Sequence, residues 1–147
     1  MEVEGMVVVA RPPAEVAPLL SDVGRLASCV PGLQAVEVRD DQHIRAEMVI
    51  ELPFARLPSS VDGRLRERRP DGLRFEIQGR PRTLAGAFMA DVDIAWGAEG
   101  GGTRVGYRLA LSLQGRLASL GEAMVRATST SKGREFERAL AALLDPA

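Results

Sequence analysis

The feature that most constrains this chain is a change of hydrophobic period along its length. From Gln34 to Trp96 apolar residues recur at every second position, the repeat of a strand with one face buried and the other in water. After Gly115 the repeat becomes that of a helix. Neither kind of element can hide its apolar side alone, so an alternating-strand chain that ends in one amphipathic helix must lay that helix on one face of an antiparallel sheet. The fold class is α+β.

In chain order, Val3 to Val9 is rich in β-branched residues and reads as a first strand, ended by Arg11-Pro12-Pro13. A short helix is expected from Ala14 to Leu20, and a second, capped by Ser21-Asp22, from Val23 to Cys29, where Pro31-Gly32 stops it. Val36 and Val38, the turn Asp40-Asp41-Gln42, and Ile44, Ala46, Met48, Ile50 and Leu52 form a hairpin with one apolar face. The segment Pro53 to Pro58 should bend the chain into a strand from Val61 to Arg68, and Pro70-Asp71-Gly72 turns it into Leu73, Phe75 and Ile77. Phe88, Ala90, Val92, Ile94 and Trp96 share a face of the next strand, and Val105 to Leu113 alternate in the last. From Arg116 to Leu144 a single long helix is expected, with Leu117, Leu120, Met124, Thr128 and Ser131 on its apolar stripe. The reading is seven strands, two short helices after the first of them, and a C-terminal helix lying on a curved sheet.

Composition bounds the function classes. A chain of 147 residues, 46% hydrophobic and 27% charged, is one ordinary globular domain spanning 1–147, with enough apolar material for a core. Its net charge of −1 lacks the basic excess of a nucleic-acid binder. The single cysteine, Cys29, forms no internal disulfide, and no N-terminal basic-then-apolar leader is visible, so the cytoplasm is the expected compartment. No run of 18 apolar residues suits a membrane-spanning helix. Lys132 is the only lysine, a skew toward arginine that reads as codon usage.

Candidate chemistry is sparse. One histidine and one cysteine cannot assemble a zinc-type ligand set, so no metal and no cofactor is expected. His43 is in phase with Arg45 and Glu47 and reads as an exposed histidine, while Cys29 reads as a small core thiol. Asp91 and Asp93 stand two apart on one strand, a spacing compatible with an acid/base pair, but they alternate with the apolar set and should look at water. The stripe Arg64, Arg66 and Arg68 reads as a solvated face opposite Glu76. Gly100-Gly101-Gly102 feeds a strand and not a helix N-terminus, which argues against a phosphate loop. The run Ala127 to Gly133 is poor in helix formers, so Thr128 and Ser131 either bond to backbone carbonyls at a kink or present hydroxyls to an internal cavity.

Three stretches carry a family resemblance: Pro12-Pro13-Ala14-Glu15-Val16, Leu26-Ala27-Ser28-Cys29-Val30-Pro31-Gly32, and Gly102-Thr103-Arg104-Val105 joined to Gly115-Arg116-Leu117-Ala118-Ser119-Leu120-Gly121. Together they resemble the CoxG family of carbon monoxide dehydrogenase, within the START-like (SRPBCC), helix-grip superfamily. The resemblance implies a seven-stranded antiparallel sheet gripping the C-terminal helix around an elongated cavity, whose lining would include Phe54, Phe75, Phe88, Leu117, Leu120, Met124, Thr128 and Ser131. It implies a non-catalytic protein that binds a lipid or quinone-like molecule and assists a molybdenum hydroxylase of the carbon monoxide dehydrogenase type, with peripheral contact at the inner face of the membrane. Two departures stand out. Leu52 to Pro58 replaces the family's glycine-rich connection, and the sequence ends at Ala147 without the C-terminal extension that would suit tail anchoring. A polyketide cyclase-like enzyme and a solid-core interaction or chaperone module are the rival readings.

Overall fold

The structure is a computed structural model that describes residues 1–53 and 55–146. Its strands are β1 (Glu2–Val9), β2 (Leu33–Asp40), β3 (His43–Leu52), β4 (Ala55–Arg69), β5 (Gly72–Pro81), β6 (Gly86–Glu99) and β7 (Gly102–Gly115). All seven make one antiparallel sheet in the order β1-β7-β6-β5-β4-β3-β2, so β2 to β7 follow one another as hairpins and only β1 joins out of sequence, against β7. Helices α1 (Pro13–Leu20) and α2 (Val23–Ala27) follow β1, and α3 (Glu122–Leu144) closes the chain. The expected architecture, a seven-stranded antiparallel sheet with two short helices and a long C-terminal one, is the one observed.

Local chemistry explains the boundaries. Pro13 opens α1, where its missing N–H would have had no helical partner. The Asp22 side chain caps α2 by accepting from the Arg25 N–H at 3.2 Å. In the β2–β3 turn the Asp40 carboxylate accepts from the Gln42 N–H at 2.7 Å. Gly32 sits at φ +80°, where a side chain is strained, and an added Cβ would lie 2.6 Å from the Val49 carbonyl oxygen. Gly32→Val should therefore lower stability by about 2–3 kcal/mol, read as a lower midpoint in thermal or urea unfolding. An unchanged midpoint would mean that this turn is not the fixed corner described.

Two boundaries differ from the sequence reading. β4 begins at Ala55 instead of Val61 and takes Pro58 into the sheet opposite Val49. The β4–β5 pairing starts one residue later, at Ser59 opposite Pro81, so the missing N–H of Pro58 falls at the end of that ladder, and the Pro58 carbonyl still accepts from Arg82 at 2.8 Å. The C-terminal segment is not one helix from Arg116. Residues Arg116–Leu120 form a 3-10 turn, and Gly121 at φ +92° separates it from α3.

The core is divided. One cluster joins α1, α2 and the C-terminal half of α3 to one end of the sheet, with Leu20, Leu73, Val105, Leu140 and Leu144 fully shielded from solvent. A smaller cluster of Leu57, Val61, Phe88 and Leu117 closes the other end beneath the 3-10 turn. Ile77 packs against both.

Candidate functional site

The concave face between the two clusters is built by the inward positions of β5, β6 and β7. Cross-strand register sets Phe75 opposite Val92, Val92 opposite Leu109, and Ala90 opposite both Ile77 and Leu111. Phe75 is buried at one end of this face and Phe88 at the other, whereas Ile77, Val92, Leu109 and Leu111 between them are only half-buried. Apolar side chains on the inner face of a sheet keep solvent-accessible surface only where nothing packs onto them. The floor of the interior is thus apolar and incompletely covered.

Helix α3 is held over one side of this floor. Gly5 on β1 and Gly133 on α3 both lie against the Tyr107 hydroxyl, leaving no room for a Cβ at either position. Tyr107 donates to Glu137 Oε2 at 2.7 Å, and its ring meets Phe136 edge-on at 5.2 Å. On the opposite side the Lys132 ammonium reaches Glu51 Oε2 at 3.7 Å and Glu135 at 3.1 Å, which ties the helix to the end of β3. The curved sheet is thereby fastened to the helix from both flanks.

Burial, and then the hydrogen bond to Glu137, push the Tyr107 phenol above its ordinary value of 10.0. The protonated phenol is the form that the fold favours. Its stabilisation is fully present below pH 10 and is lost as pH rises from there through the higher folded-state value. Tyr107→Phe should cost about 1–2 kcal/mol at neutral pH and remove this part of the alkaline sensitivity, measurable by urea unfolding at neutral and alkaline pH. Equal stabilities of parent and variant at both pH values would rule the bond out as a fastening.

The expected lining residues separate in space. Phe88 and Leu117 belong to the smaller cluster, with Leu120 packed on it, while Phe75 belongs to the larger one. Met124 and Thr128 are half-buried, and Ser131 is exposed. The inward stripe of α3 is instead Val125, Ser129, Gly133, Phe136, Leu140 and Leu144, so Ser131 is corrected to the solvent side. The reason is geometric: a 3-10 turn has three residues per turn and Gly121 breaks the helix, so the phase set by Leu117 and Leu120 does not carry into α3. Phe54 lies outside the described residues. The half-buried floor residues were visible in the alternation as inward-facing, but alternation does not tell a packed position from an uncovered one.

Other candidates take mostly the places expected of them. Cys29 is buried, and burial raises its thiol pKa, the state of an inert core sulfur. Asp91 and Asp93 sit on the outer face and pair with Arg74 and Arg69, and Arg66 pairs with Glu76. His43 differs from expectation: its Nε2 lies 2.9 Å from Asp62 Oδ2, and its side chain is 17% exposed because Arg45 and Arg64 converge on the same carboxylate. A recess of about 500 Å³ on the outer face, bordered by Arg39, Arg45, Glu47, Ser60, Arg80 and Met89, has a mixed polar and apolar lining that reaches Val61 and Phe88. Among the described residues no group of three or more His, Cys, Asp or Glu side chains is placed to hold a metal ion, and no helix is long and apolar enough to cross a membrane.

The family profile of CoxG, a carbon monoxide dehydrogenase component, matches residues 5–140. The chain belongs to the CoxG family. No curated protein matches it. Solved structures similar to this CoxG-family chain include a conserved protein from Geobacillus kaustophilus, 16% identical over 99% of this chain and 96% of the other, with a TM-score of 0.85. A START superfamily protein from Mycobacterium smegmatis is 11% identical, with 99% and 97% covered and a TM-score of 0.75. A protein from the dynemicin biosynthetic locus, DynU16, is 18% identical with a TM-score of 0.60; the match spans 98% of this chain and 47% of that one. At these identities the likeness establishes the START-like fold of the CoxG-family domain.

Proposed function

We propose that this CoxG-family domain binds one apolar molecule, lipid or quinone-like, between the concave face of the sheet and α3. The observation that carries this reading is the half-buried apolar row Ile77, Val92, Leu109 and Leu111: Ile77, Val92 and Leu111 pack against one or both clusters yet keep exposed surface, and Leu109 packs against neither. The domain carries its ligand and does not transform it. In support, the inward-facing Tyr107 donates its hydroxyl to Glu137, and the phenol is held protonated, so it is not poised as a base near neutrality.

The accessory role follows the family description: the domain works beside a molybdenum hydroxylase of the carbon monoxide dehydrogenase type, in the cytoplasm or at the inner face of the membrane, and hands the apolar molecule to or from it. The test is native mass spectrometry of the purified protein for a retained apolar molecule, followed by titration of the delipidated protein with a fluorescent quinone analogue. A retained molecule displaced at one-to-one stoichiometry is expected. Neither retention nor saturable probe binding would leave a solid-core interaction module as the better account.

A further inference from the structure

We propose that the solvent face of α3 is a docking surface for an acidic protein partner. On the outer face of the sheet, Arg45, Arg64, Arg66, Arg74, Arg104 and Arg108 each pair with a carboxylate, and among the described residues Arg80 is without one. On helix α3 two such arginines lie one turn apart. Arg134 and Arg138 are exposed, and among the described residues no carboxylate pairs with either. Successive fourth positions put Arg126, Thr130, Arg134 and Arg138 along one ridge of the helix, with Ala127 and Ser131 beside it. All six are exposed, and Glu135, the next member of the flanking row, is paired with Lys132 at 3.1 Å and with neither arginine. Arg126 also reaches back to the Glu2 carbonyl at 3.2 Å, which fixes the start of the ridge on β1.

A chain of net charge −1 therefore places the uncompensated guanidinium groups of Arg134 and Arg138 on the long helix that lies over its interior. Planar guanidinium forks match carboxylates in pairs, and the small residues among them let a partner surface come close. An anionic bilayer suits the face less well. Interfacial helices bury Trp, Phe or Leu between their cations, and this ridge offers only Ala, Ser and Thr. The docking face gives the accessory role proposed above a partner chemistry, and rests on that role.

The test uses the full chain and two probes: a fluorescent helical peptide with glutamate at every fourth position, and vesicles of phosphatidylcholine with phosphatidylglycerol. Saturable peptide binding that weakens with added salt is expected. Arg134→Glu/Arg138→Glu should lower peptide affinity about tenfold or more, while Arg56→Glu/Arg80→Glu on the sheet, with the same change in net charge, should alter it less than about twofold. Quinone-analogue binding measured on the same variants separates the two proposals: loss of peptide binding with analogue binding intact assigns the face, and absent analogue binding in the parent counts against the carrier reading alone. Equal loss in both double variants, no peptide binding, or binding of vesicles without peptide would each overturn the docking surface.

Discussion

Replacing Leu109 by tryptophan should sharply reduce binding of a fluorescent quinone analogue while leaving the protein folded. Leu109 lies on β7 opposite Val92 on β6 and Val3 on β1, faces the concave side, and is only half-buried. It belongs to neither packed cluster. If the space above it holds a ligand, the added ring volume competes with that ligand, and affinity should fall by about tenfold or more with a loss of stability below about 1 kcal/mol. If protein atoms fill the space, the same change must overpack them, at about 1–3 kcal/mol, and there is no probe binding to lose. Probe titration and thermal unfolding of parent and variant decide the matter. A destabilised variant of a parent that never bound the analogue would sink the carrier reading.

The largest effect on stability is expected from Gly79→Val. Gly79 on β5 faces Phe88 on β6, and a Cβ built at Gly79 would fall 2.0 Å from the nearest ring atom of Phe88. The far end of the ring thus rests over the bare backbone of its cross-strand neighbour, an arrangement in which the aromatic side chain covers a glycine that would otherwise weaken the strand. Valine must push the ring away, and Phe88 is the buried aromatic of the smaller cluster, surrounded by Leu57, Val61 and Leu117. Displacing the ring and overpacking its surroundings should together cost about 3 kcal/mol, a fall in Tm of roughly 6–12 °C for a domain of this size. Gly79→Val/Phe88→Ala should then be little worse than Phe88→Ala alone, because the two residues share one contact. An unaltered Tm in the single variant, or full additivity in the double, would mean that the ring does not rest on Gly79.

Much of the fold could be read from local patterns. The sheet's inward faces follow from strict alternation, as in Phe88 to Trp96, where every second residue from Phe88 points inward. The turns follow from residues with few conformational choices: Asp40 in its side-chain-bonded turn, Asp22 at its cap, and Gly32 at positive φ. Pro58 misled the reading because proline disfavours strand interiors on average, whereas here the neighbouring ladder ends where its N–H would have been needed.

What the sequence determined by itself is the set of elements, their order and the apolar side of each, because these depend on backbone chemistry and on periods set within a few residues. Only the tertiary structure decided which inward residues pack and which stay uncovered. That choice depends on where α3 lies, and its position is fixed by contacts between parts of the chain far apart in sequence: Tyr107 with Glu137, Gly5 with the Tyr107 hydroxyl, and Lys132 with Glu51. The rotation of α3 escaped the sequence for a related reason. A left-handed glycine at 121 resets the helical phase, so Val125 and Ser129 face inward where continuous periodicity put Met124 and Ser131. The same separation hid the state of Arg134 and Arg138, since most arginines on the strands find carboxylates on a neighbouring strand, whereas among the described residues none lies against these two.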